Sequence, residues 1–251
     1  MLFLLPPSET KLGGGSVGSR LDLGSLAFPE LTSARSELVR RVAELGSDVE
    51  ASRVALKLGP RQDAEIERNR DVLVSATRPA LTRYTGVLFD PIGASALSSE
   101  AWAYAARHLV VHSALFGLVS AGDAIPAYRL SHDSRVPGLS LKAFWRPVIE
   151  PVLASRSEFV LDLRSEGYAA LGPLGGVSTR YLRVVSDEGG RRRALNHFNK
   201  KSKGLLVRAL LDDRPALTDL DDLVTWASHR GIRLDVGDEI TLVSESVLES
   251  V

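Results

Sequence analysis

Cysteine is absent from all 251 residues. That excludes disulfides, thiolate metal centres, iron–sulfur clusters and cysteine nucleophiles, and with them any redox sensing through the chain's own thiols. Long apolar runs are absent as well. Nothing approaches the roughly 20 consecutive apolar residues of a membrane helix, and the opening Met1–Leu5 is too short for a secretory core, has no preceding basic residue and runs straight into Pro6-Pro7. It reads as a first buried strand in a soluble, cytoplasmic protein that contacts no membrane. Net charge is missing too: 31 basic side chains balance 31 acidic ones, which argues against a protein that coats DNA by bulk electrostatics. Neither an internal repeat nor a Pro/Gly/Ser-rich linker divides the chain, and with 44% hydrophobic residues the sequence implies one domain over residues 1–251.

The balanced charge is unevenly spread. Arg191, Arg192, Arg193, Lys200, Lys201, Lys203 and Arg208 lie in a stretch without an acid, whereas Asp and Glu dominate from Asp212 onward. A basic segment of this kind can build a local anion site on a neutral protein. Apolar spacing predicts helices over 29–45, 48–58, from about Arg61 toward Val72, through Trp102 and Tyr104 toward His108 behind a Ser98-Ser99-Glu100 cap, around 199–211 and over 220–229. A helix is also expected over 139–153, kinked or broken by Pro147 and Pro151. Strands are expected at 109–116, 159–163 and within 232–243, and the segments 179–185 and 193–198 flank a hairpin signal at Asp187-Glu188-Gly189-Gly190. Helices and strands mix without strict alternation, so the fold class is α/β in the mixed α+β sense.

Several motifs carry chemistry only weakly. Gly14-Gly15-Ser16-Val17-Gly18 matches the pattern of a serine nucleophile elbow, but the preceding strand ends too early, so a glycine-rich loop is the better reading. That loop lacks the spacing of a nucleotide-binding P-loop and instead places Ser8 and Lys11 at the end of the first strand, where they can meet an anion. His108 and His112 are four apart but lack the metalloprotease glutamate and read as core or surface histidines, so no metal site and no cofactor is assigned. Glu9, Asp162 and Glu166 fall near strand ends, where α/β sheets place their chemistry. Asn199-Lys200-Lys201-Ser202-Lys203-Gly204 opens a helix, and ammonium groups at that positive end suggest an anionic partner, either a phosphate or an internal carboxylate such as Glu166.

Taken in order, Leu2-Phe3-Leu4-Leu5-Pro6-Pro7-Ser8-Glu9-Thr10-Lys11, Tyr84-Thr85-Gly86, the run from His108 to Leu118, Pro126-Ala127-Tyr128-Arg129-Leu130, Phe144-Trp145, Leu161 to Tyr168 and Phe198 to Gly204 resemble the YaaA-like peroxide-stress family. The resemblance implies a mixed α/β fold with a positively charged cleft and a helix-hairpin-helix-like element, and a role in hydrogen-peroxide stress, limitation of free iron and DNA binding. The hairpin would be Leu58-Gly59-Pro60-Arg61, with one glycine where two are usual. On this reading Lys57 and Arg61 touch backbone phosphates, while Lys11, Tyr84, Arg129, Lys200, Lys201 and Lys203 complete the surface for DNA or another polyanion. Lys200, Lys201 and Arg129 are expected to face one cleft. The alternative is an enzyme that acts on a small anionic or nucleotide-like substrate in the same cleft, with Ser8, Tyr128, Glu166 and Lys200 as candidate catalytic groups and Ser165 beside them.

Overall fold

The apolar opening forms strand β1 (Leu2–Leu5), in which Phe3, Leu4 and Leu5 are buried. The structure, a computed structural model, describes residues 1–175, 178–188, 191–194 and 197–249. After a 3-10 turn at Pro29–Leu31 come α1 (Thr32–Leu45), α2 (Val49–Leu56) and α3 (Asp63–Arg70), then β2 (Arg78–Pro79), α4 (Ala80–Arg83) and α5 (Phe89–Ile92). The middle of the chain holds α6 (Ser99–His108), β3 (Leu109–Ser113), β4 (Gly117–Ser120), β5 (Ala124–Ile125), α7 (Leu141–Ala154), β6 (Val160–Asp162) and α8 (Glu166–Ala169). It ends with β7 (Thr179–Glu188), β8 (Arg191–Ala194), α9 (His197–Asp213), α10 (Leu220–His229), β9 (Leu234–Val236), β10 (Ile240–Val243) and α11 (Ser244–Glu249). Side-chain caps set several starts: the Asp48 carboxylate accepts from the Ala51 amide, the Ser98 hydroxyl from Ala101 and the Asp219 carboxylate from Asp222.

These strands build a mixed sheet in the order β4-β3-β1-β6-β7-β10-β9, with β8 added to β7. Its centre is parallel: β1 pairs with β3 on one side and β6 on the other, and β6, β7 and β10 continue in the same sense. Antiparallel β4 and β9 finish the two ends. From β1 the chain moves outward to β3, and from β6 it moves outward in the opposite direction to β7. The boundary between β1 and β6 is therefore a topological switch point, where the loops beyond the two strand ends diverge and leave a crevice. One continuous cluster of buried apolar side chains runs from Met1 to Val247 and packs the sheet against its helices.

Two expectations need correction. The strand expected over 109–116 stops at Ser113, because the Ser113 hydroxyl accepts from the Leu115 and Phe116 amides and closes a turn. Side chains hold that turn from outside: Trp145 Nε1 donates to the Ala114 carbonyl and the fully buried Arg35 donates to the carbonyls of Phe116 and Leu118. Helix α7 passes through both Pro147 and Pro151 without ending. Residues 143, 147 and 151 lie four apart on the exposed side, so the carbonyls that lose their donors to the prolines are on the face that water reaches. The expected hairpin pairs Glu188 with Arg191, while its glycine turn at 189–190 lies outside the described residues.

Candidate functional site

The crevice at the switch point is a cleft of about 740 Å³. Pro6 to Thr10 enter it from the end of β1, Leu163 and Ser165 to Tyr168 from the end of β6, Tyr181 and Arg183 from β7, and Asn199, Lys200 and Lys203 from the first turns of α9. Gly86 and His132 complete the wall. Two glycines are required here, Gly167 by space and Gly86 by backbone conformation. A Cβ on Gly167 would lie 2.4 Å from the His132 ring, and Gly86 has φ 98° beside the hydroxyls of Ser8 and Thr10.

The loop after β1 is tied down by a buried amine. Lys11, 6% exposed, donates from Nζ to the Ser8 and Glu9 carbonyls at 2.9 and 3.2 Å and sits 4.1 Å from the centre of the Tyr128 ring. Burial, and next the Arg129 guanidinium, hold its pKa down at about 7. Backbone pairing of Lys11 with Tyr84 fixes this loop against the chain that precedes α5. Beneath it the Tyr84 and Tyr128 hydroxyls share a hydrogen bond of 2.9 Å, and Tyr128 shares another of 2.7 Å with Ser113. The loop after β6 rests on a second buried charge. Arg164 makes a two-pronged pair with Asp162 and donates to His112 Nδ1 at 2.8 Å. Burial, then Arg164, hold the His112 pKa well below its usual value, so this imidazole is neutral. Lys203, 3% exposed, donates to the Leu163 carbonyl, and burial brings its pKa down to about 8.

Of the residues singled out from sequence, Ser8, Glu9, Ser165, Glu166, Lys200 and Lys203 line this one cleft. Arg129 reaches it through a 2.6 Å ion pair with Glu9. Lys11, Tyr84 and Tyr128 are buried behind its wall, and Asp162 beneath it. Lys201 is exposed one residue along α9 from Lys200 but does not line the cleft. Lys57 and Arg61 lie apart, on the connection between α2 and α3, where Lys57 adopts the left-handed conformation at φ 55° and pairs with Asp133. Tyr181, Arg183 and His132 escaped the sequence reading. Tyr181 and Arg183 are two apart on a strand that was expected, so their common face was legible; His132, in a stretch without periodic pattern, gave no signal.

A sequence profile described as "Peroxide stress protein YaaA" matches residues 1–234. A UPF0246 protein of Corynebacterium efficiens is 38% identical over 246 residues, covering 95% of this chain and 96% of the relative. One from Streptomyces coelicolor is 42% identical over 216 residues, covering 84% and 83%, and one from Corynebacterium glutamicum is 39% identical over 238 residues, covering 92% and 94%. With the profile spanning nearly the whole chain and relatives alike over most of their lengths, the chain belongs to the YaaA peroxide stress protein family.

Proposed function

We propose that this protein is a cytoplasmic, single-domain DNA-binding protein of the peroxide-stress response, linked to the limitation of free iron, and that it holds a nucleic-acid backbone along the rim of the switch-point cleft. The observation that carries the reading is where the acid-free basic stretch sits. Its arginines 191–193 form β8, on the same edge of β7 as β6, and its lysines open α9 at the cleft, with Lys200 and Lys201 both exposed. A positive helix end that carries further cations is unfavourable alone and is relieved by an anion. Arg61 and the half-exposed Lys57 on the α2–α3 connection offer a second phosphate contact, as a helix-hairpin-helix-like element would. Nothing in the sequence supplies a base-reading motif, so binding should be insensitive to sequence and steep in salt. Anisotropy titrations of labelled duplex and branched DNA at several salt concentrations test this. Micromolar or weaker binding at low salt that fades toward physiological salt is expected, and no complex at low salt would remove the reading.

A second reading rests on the lining of the cleft, to which Ser8, Glu166, Lys200 and Lys203 contribute together with Tyr181 and His132. Such a convergence of polar groups suits an enzyme for a small anionic or nucleotide-like substrate. Glu166→Gln separates the two. Tighter DNA binding in the variant, from loss of a repelling charge, supports the binding module; unchanged affinity with loss of a turnover seen in the wild type supports the enzyme.

A further inference from the structure

The paired segments around Lys11 and Tyr84 border two hollows. Thr10 and Gly86 line the cleft already described, whereas Leu12, Tyr84 and Thr85 line a second one of about 590 Å³. Arg78, from β2, lines this second hollow. Its Nε is buried without an acceptor, and its guanidinium makes no hydrogen bond or ion pair among the described residues. Close by is a second guanidinium. Arg83 is fully buried and donates only to backbone carbonyls, those of Ile125, Leu12 and Ala76. Burial first, and Arg78 second, bring its pKa down to about 10, so the two positive charges feel one another. Asp90, the one acid lining the hollow among the described residues, is engaged by the Gly86 amide at 2.7 Å.

An unpaired buried donor beside a second, uncompensated cation is costly to retain. An acceptor brought by a ligand removes the cost, and two neighbouring positive charges favour a dianion over a single carboxylate. Exposed hydroxyls of Ser16 and Ser95 flank the hollow, and Leu81 and Phe89 give it an apolar wall. We propose that this hollow is a separate binding site for a small phosphorylated molecule, its phosphoryl group on Arg78 and its apolar body against Leu81 and Phe89.

Phenyl phosphate is the probe, followed by calorimetry and by amide chemical shifts on the full chain. Saturable binding is expected, stronger than that of benzoate. Arg78→Gln should weaken it about tenfold or more, as loss of a charge-assisted pair does, and Arg78→Lys less. The Lys200→Glu/Lys201→Glu double variant, altered on α9 and at no residue that lines this hollow, should bind the probe as the wild type does. Absence of saturation, an unaltered affinity in Arg78→Gln, or loss in the double variant instead would overturn the proposal. If Arg78→Gln does not fold, wild-type shifts decide: changes at Ser16, Thr85 and Gly93 support the site, and changes confined to Glu9 and Glu166 refute it.

Discussion

Lys11 and Lys203 show how burial turns an ordinary surface residue into a titrating one. The unfolded chain keeps the Lys11 proton up to about 10.5, whereas the folded chain keeps it only to about 7. Between those values unfolding takes up a proton, so this residue makes stability rise with pH. Lys203 contributes with the same sign between about 8 and 10.5. Lys11→Met deletes the first contribution and retains most of the side chain's bulk. Urea unfolding at about pH 7.5 and about pH 9 should therefore show a smaller gain in the variant than in the wild type. Equal gains would mean that the amine does not titrate in this range. The sequence placed Lys11 after the first strand but gave no sign that it would be enclosed, because enclosure comes from Tyr84 and Tyr128, more than 70 and 110 residues away.

Local patterns identified most elements. The caps at Ser98 and the close of α10 before Gly231, at φ 75°, were legible because they depend on neighbouring residues alone. Helix α7 was harder, since proline rules describe an isolated helix, while Trp145 and Ile149 anchor this one in the core with no exposure. Tertiary packing overrides a local penalty there. Pro147→Ala would restore a donor for the Ala143 carbonyl, and a gain of about 1 kcal/mol is expected after the greater freedom of the unfolded chain is subtracted. Chemical denaturation would measure it, and a loss would show that the proline ring itself packs. The short β2, β5, α4 and α5 went unread: two to four residues hold too little periodicity to register.

At the scale of the whole molecule the cleft is a product of strand order, which no local pattern encodes. The mixed α/β class and the strand ends that bear Ser8, Glu9 and Glu166 were readable, whereas the placement of β1 beside β6 depends on pairing across more than 150 residues. Lys57 and Arg61 lie on a different part of the chain from Lys200 and Lys201, and the Lys57–Asp133 pair leaves Arg61 as the freer cation of the α2–α3 connection. Reversing Lys200 and Lys201 should lower DNA affinity at low salt and cut the slope of log affinity against log salt by roughly two. Reversing Lys57 and Arg61 should cut it by about one or more by the same logic. Equal binding by the first pair of variants would move the interface away from α9.

The chain's sulfur chemistry is confined to one thioether, that of Met1, which is 7% exposed at the start of β1, away from the cleft. Hydrogen peroxide attacks thiolates and accessible thioethers first. A member of a peroxide-stress family built without the former and with the latter folded away offers peroxide almost no sulfur of its own to oxidise.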